Sequence, residues 1–135
     1  MTRDWPTRAP LADRAERTPD RTAVVDTEHD SQWTFGQLDV VVDDVASHLS
    51  ECLRRPESAR IACLLNQSIR TVVVVHAAMR LGATLVPIDP DLTDEKRTTR
   101  IARTSPDFLI RERASETNAD GRSLLVSRPE TDRDT

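Results

Sequence analysis

The residues best placed to do chemistry are Asp89 and Asp91, which flank Pro90 just after the apolar run Leu85-Val86-Pro87-Ile88. If that run is a strand, the pair sits where open α/β sheets gather their sites, and two carboxylates there could take a phosphoryl group or a divalent cation. The simpler reading is a turn in which aspartate caps local amides. His76 is the second candidate, a titratable ring beside Val72, Val73, Ala77 and Met79. No second His or Cys stands at a ligand spacing from it. A satisfied, interior or half-buried histidine is therefore expected rather than a base or a ligand. His29 and His48 are expected at the surface. Cys52 and Cys63 match no metal knuckle or redox pair and read as buried or half-buried thiols. Asp43-Asp44 reads as a solvated helix face, and Arg97, Arg100 and Arg103, with Glu95, as a wet stripe rather than a nucleic-acid patch.

The elements that must position these groups follow from local pattern. Pro10–Arg17 reads as a short helix, opened by proline and closed ahead of Thr18-Pro19. Thr22–Asp26 is a β-branched strand, 28–31 a polar turn and 32–34 a returning strand, which together make a hairpin. Thr34 and Gln37 have the spacing of a capping box. The helix they open carries Leu38, Val41, Val42, Val45, Ala46 and Leu49 on one face and ends before Arg54-Arg55-Pro56. Residues 60–65 are almost wholly apolar, as a central parallel strand would be. Residues 66–68 open a helix that runs to Leu81 and stops at Gly82. Its apolar run 72–75 is interrupted by Arg70, His76 and Arg80, so it reads as a buried helix and not a membrane span. Residues 83–88 read as a second buried strand, which Pro87 either ends or confines to an edge. Thr93, followed by Asp94 and Glu95, caps a further helix that closes before Ser105-Pro106. Residues 108–110 form a third strand. The expected fold class is α/β: a partial, mostly parallel sheet with right-handed crossover helices, preceded by a short helix and a β-hairpin. From Arg111 onward the text turns polar, and 111–135 reads as a mobile tail with room for one strand at Leu124-Leu125-Val126.

Bulk composition narrows the function. A chain of 135 residues suits one modest domain. A net charge of −4 argues against a nucleic-acid partner, because phosphate contacts need a basic face. No run approaches the ~20 apolar residues of a membrane span. The opening Met1-Thr2-Arg3-Asp4-Trp5-Pro6 has no hydrophobic signal region, so a cytoplasmic location is expected.

Two stretches are more specific. Trp33-Thr34-Phe35-Gly36-Gln37-Leu38 resembles the first motif of the adenylate-forming ligases, which opens their first long helix. Met79-Arg80-Leu81-Gly82-Ala83-Thr84-Leu85-Val86-Pro87-Ile88-Asp89-Pro90 resembles the second, in which a helix ends on Leu-x-x-Gly-Ala and a strand on Val-Pro. Arg17-Thr18-Pro19-Asp20-Arg21-Thr22-Ala23-Val24-Val25 and Ser105-Pro106-Asp107-Phe108-Leu109-Ile110 are similar to the family as well. The resemblance covers residues 11–110. The wording of 76–83 is nearer the acyl-CoA ligases, the succinylbenzoate-activating ligase among them, than the peptide synthetases.

The resemblance implies a reaction in which ATP and Mg²⁺ convert a carboxylate to its adenylate and CoA then takes the acyl group. Such chemistry needs a Ser/Thr/Gly-rich loop around the triphosphate, acidic residues for Mg²⁺ and ribose, and a lysine at the α-phosphate. In the family all of these lie C-terminal to the matched part. Here Gly36, Gly82 and Gly121 stand in three separate places, Ser68 and Thr98-Thr99 fall in helical contexts, and Lys96 sits in the first turns of a helix, facing solvent. No residue is assigned a catalytic, cofactor-binding or metal-ligating role, and no cofactor is expected for the chain alone. The leading expectation is an N-terminal region (1–110) of an AMP-forming ligase, inactive alone. Its partners would be the missing C-terminal part or another copy of itself, since the apolar faces of 72–75 and 85–88 should be partly uncovered. Two other readings stand beside it: a non-catalytic interaction module derived from the ligase fold, and a small flavodoxin- or receiver-like domain using Asp89 and Asp91 with Mg²⁺.

Overall fold

The computed structural model of the chain describes residues 10–28, 30–66, 68–112 and 124–127. In order it contains α1 (Pro10–Arg17), β1 (Thr22–Asp26), β2 (Ser31–Thr34), α2 (Phe35–Cys52), β3 (Arg60–Leu64), α3 (Ile69–Leu81), β4 (Thr84–Pro87), α4 (Asp94–Thr104), β5 (Phe108–Glu112) and β6 (Leu124–Ser127). The expected strand at Leu124-Leu125-Val126 is thus present as β6, Arg111 and Glu112 extend β5 instead of opening the tail because they pair with β6, and the rest of the tail lies outside the described residues.

β1 and β2 form an antiparallel hairpin that runs straight into α2. The junction is the capping box anticipated from the spacing. The Gln37 amide donates to Thr34 Oγ1 at 3.1 Å, and the Thr34 amide donates to Gln37 Oε1 at 2.9 Å. Two amides that the helix start would otherwise leave unpaired are satisfied, for about 1 kcal/mol. Two residues after Thr34, the Gly36 amide donates to the Pro19 carbonyl at 2.9 Å, and a Cβ at position 36 would lie 3.2 Å from that same oxygen. Glycine stands there because backbone approaches backbone.

The main sheet has the order β4-β3-β5-β6, with β3 parallel to both β4 and β5, and β6 antiparallel to β5. Strand periodicity divides its side chains between two faces. Ile61, Cys63 and Ile110 join the larger core with α1, α2 and α3, while Ala62, Leu64 and Leu109 join a smaller one with Ile88, against which Leu92 and Ile101 pack. The reason is topological. The chain leaves β3 through α3 to reach β4, then returns through α4 over β3 to reach β5. Right-handed crossovers in opposite directions place their helices on opposite faces. The α2–α3 face is well covered: all six predicted α2 positions are buried, and Val73 and Val74 are 0% exposed. The α4 face is not, since α4 itself contains no buried residue.

The run 72–75 is partly uncovered, as expected: α2 covers Val73 and Val74, Val72 is half-buried, and Val75 and, a turn on, Met79 are exposed. One expectation needs correction. β4 is not a buried strand. Thr84 and Pro87 are exposed and Leu85 and Val86 half-buried, because β4 is the sheet's edge with β3 as its single neighbour among the described residues. The amides of Thr84 and Ile88 donate to the β3-side carbonyls of Ala59 and Cys63, each at 2.9 Å. Alternation then turns positions 85 and 87 outward, so the donor that Pro87 lacks falls on the open edge.

Candidate functional site

In an open α/β sheet, ligands collect beyond the carboxyl ends of the parallel strands, at the place where the connections diverge. Here that place is the β3–β5 boundary, with the β4 end beside it. The polar groups there are Asn66, Ser68 and Thr71 after β3, and Asp89, Asp91 and Thr93 after β4. Ser68 caps α3, its hydroxyl accepting the Arg70 amide at 3.2 Å, and the Thr71 hydroxyl donates to the Asn66 carbonyl at 2.6 Å. Asp89 Oδ1 accepts the Asp91 amide at 2.9 Å, and Thr93 Oγ1 accepts the Lys96 amide at 3.3 Å. The side chains of Ser68, Thr71, Asp89 and Thr93 thus each hold a turn or a helix start. Asp89 and Asp91 are exposed and form a self-capped turn, and among the described residues no three His, Cys, Asp or Glu side chains gather as a metal site.

The remaining sequence candidates are dispersed. Lys96, Thr98 and Thr99 are exposed along α4. Gly36 lies in α2, and Gly82 ends α3 with φ 70°, in the left-handed region. Gly121 and His29 lie outside the described residues. His48 is exposed. Cys63 is buried and Cys52 half-buried, and neither is in a disulfide. Arg100 and Arg103 are exposed as expected, whereas Arg97 is half-buried and bonds Asp94 at 2.9 Å. His76 is half-buried but not satisfied: its Nδ1 is buried without a hydrogen-bond partner. Burial, and secondarily the Arg80 guanidinium one turn away, lowers its pKa from the ordinary 6.5.

A polar cluster between α2 and α3 is one the residue pattern did not announce. Arg80, with its side chain 3% exposed, pairs with Asp39 through Nη2 and approaches Asp43 at 3.7 Å through Nη1. The same Nη1 donates to the Asp39 carbonyl at 3.4 Å. Asp43 is therefore one of three members of an interhelical ion cluster and not a purely solvated residue, while Asp44 beside it is exposed. The signal was present: Asp39 and Asp43 stand four apart on α2 beside its apolar stripe, and Arg80 interrupts an apolar helix. The cluster joins α2 to α3.

The structure overlays on o-succinylbenzoate CoA synthetase (MenE) from Bacillus subtilis, in complex with the acyl-adenylate intermediate OSB-AMP, with a TM-score of 0.70 at 26% identity. The overlay covers 82% of this chain and 28% of that one. The N-terminal domain of FACL13 from Mycobacterium tuberculosis gives a TM-score of 0.68 at 23% identity, covering 73% and 25%, a likeness of fold alone. By sequence, phosphinothricin tripeptide synthetase PhsC of Streptomyces viridochromogenes is 32% identical over 104 residues, 77% of this chain and 9% of its own length. Bacitracin synthase 2 of Bacillus licheniformis is 26% identical over 115 residues, 85% of this chain and 4% of its own. The chain thus spans a small fraction of its curated relatives and about a quarter of the solved ones. These sequence relatives are peptide synthetases and these structural neighbours are CoA synthetases, so the likeness shown is to the family, with the fold of an acyl-CoA synthetase. Residues 11–134 match the family described as AMP-binding enzyme, a match that runs past Ile110 and through β6. With the parallel sheet and its crossover helices in the same arrangement, the chain belongs to the AMP-binding enzyme family.

Proposed function

We propose that this chain is the N-terminal part of an AMP-forming ligase domain, which it supports structurally without catalysing the reaction by itself. The observation that carries this is the pairing of a family match across 11–134 with coverage of only 28% of the MenE chain. In the whole domain the reaction joins a carboxylate to AMP, releases pyrophosphate, and passes the acyl group to a thiol. ATP, Mg²⁺ and CoA belong to that larger assembly. Within this chain Ser68, Thr71, Asp89 and Thr93 at the strand ends are engaged in local capping, and its single lysine, Lys96, is exposed on α4. Its partner in this reading is the remainder of the ligase.

The test is carboxylate-dependent exchange of labelled pyrophosphate into ATP by the purified chain with Mg²⁺, alongside its melting temperature with and without ATP. The expected outcome is no exchange above the blank and no saturable shift. Exchange dependent on a carboxylate, or saturable stabilisation by ATP and Mg²⁺, would overturn the reading. A second reading, a self-contained interaction module, is favoured by the contiguous core that α1, α2, α3, β3 and β5 share. It requires a single cooperative unfolding transition of the isolated chain.

A further inference from the structure

We propose that the chain associates head to tail with a second copy of itself, the exposed stripe of α2 in one copy seated in the β4–α4 groove of the next. The two surfaces complement each other in charge. Along α2, Gln37, Val40, Asp44, His48 and Glu51 recur at three- and four-residue spacing and are all exposed, Val40 at 56%. The stripe is acidic and carries one uncovered apolar side chain. The groove has the opposite character. Lys96, Arg100 and Arg103 line its α4 wall with Glu95 as the one carboxylate, and Val86, Pro87 and Leu92 form its apolar side. All three cations are exposed, on a chain whose net charge is −4.

The spacings agree as well. Asp44 and Glu51 are seven residues apart, as are Lys96 and Arg103, so each pair spans about 10.5 Å of helix at ~1.5 Å per residue. With the helices parallel, Asp44 meets Lys96 and Glu51 meets Arg103. The same register carries Val40 past the start of α4 toward the apolar side of the groove, where Leu92 precedes the Thr93 cap. Geometry also sets the form of the assembly. The α2 and α4 helices lie on opposite faces of the sheet, so one copy cannot return both contacts to the same neighbour, and the contact is heterologous, growing with concentration as a chain or closing as a ring. Pro87 keeps a strand from extending along β4, which leaves side chains to make the contact.

The experiment is sedimentation velocity of the full chain over a concentration series, at about 0.01 M and about 1 M salt, where the Debye length is roughly 30 and 3 Å. The wild type is expected to grow in mass with concentration at low salt and to run as a monomer at high salt. Asp44→Lys/Glu51→Lys and Lys96→Glu/Arg103→Glu should each lose association by about tenfold or more. Mixed in equal amounts they should associate again, because each now complements the other. All four side chains are exposed, so the fold should persist, and circular dichroism checks this. Asp44→Asn/Glu51→Gln serves as the milder variant if it does not. A wild type that stays monomeric at low salt overturns the proposal. So does association indifferent to salt or to the reversals, or a mixture that fails to reassociate.

Discussion

The Arg80 cluster makes a prediction whose size and asymmetry can be worked from exposure. The Arg80 side chain is 3% exposed, whereas Asp39 and Asp43 are 34% and 37% exposed. Removing one partner of a buried ion pair typically costs about 3–5 kcal/mol, because the other is left uncompensated in a poor solvent. That penalty applies in one direction here. Asp39→Asn/Asp43→Asn strands a guanidinium that water cannot reach, and it should cost about 3 kcal/mol. Arg80→Met keeps most of the packing volume and leaves two carboxylates that can recover hydration, so about 1 kcal/mol is expected. The triple variant carries no stranded charge and should return to within about 1 kcal/mol of the wild type, well short of the sum of its parts. Urea unfolding followed by far-ultraviolet circular dichroism reads this directly. With a slope of about 1–2 kcal/mol/M, the aspartate double variant should lower the midpoint by roughly 1.5–3 M. An Arg80→Met loss equal to or larger than the aspartate loss would refute the reasoning, as would additivity in the triple variant.

Three further perturbations test separate links. The folded pKa of His76 lies below 6.5, chiefly through burial and then through Arg80, so the unfolded chain takes up a proton first as pH falls. Stability should rise with pH between the lowered folded value and about 6.5, and be lost toward acid. His76→Gln should flatten that slope in urea midpoints, and an unchanged slope would reject the assignment. Gly82→Ala forces a Cβ into the left-handed region at φ 70° and should cost about 1 kcal/mol, seen as a melting temperature lower by about 4 °C. Pro87→Val restores a donor on the open edge of β4 and should raise light scattering on incubation at high salt, where charge contacts are screened. Scattering equal to that of the wild type would mean that the edge is protected by something else.

Much of this architecture was legible because its signals are local. The capping box needs only Thr34 and Gln37, three residues apart, and the buried stripe of α2 follows from the turn of a single helix. Gly82 ends α3 as its position suggested. The two stretches that carry the family resemblance contain these same devices: Thr34 as a cap, Gly36 at a backbone crossing, Gly82 in the left-handed region and Pro87 on an edge. A motif built from such residues is readable because it reports backbone geometry. For the same reason it points to a family.

What stayed hidden depends on neighbours distant in sequence. Arg80 bonds Asp39 across 41 residues, and nothing local says which face of α3 turns toward α2. Val73 and Val74 are covered and Val75 is not because of how those helices meet. Whether Pro87 ends a buried strand or guards an edge is a matter of strand order, which put β3 in the centre and β4 outside. The acidic stripe and the basic groove are each plain along one helix, but only the two-sided sheet sets them on opposite faces. The sequence alone determined the elements, their caps and the family, because each rests on contacts within a few residues. Tertiary structure decided which charges are buried and which surfaces stay open, because those are properties of packed faces and not of any single segment.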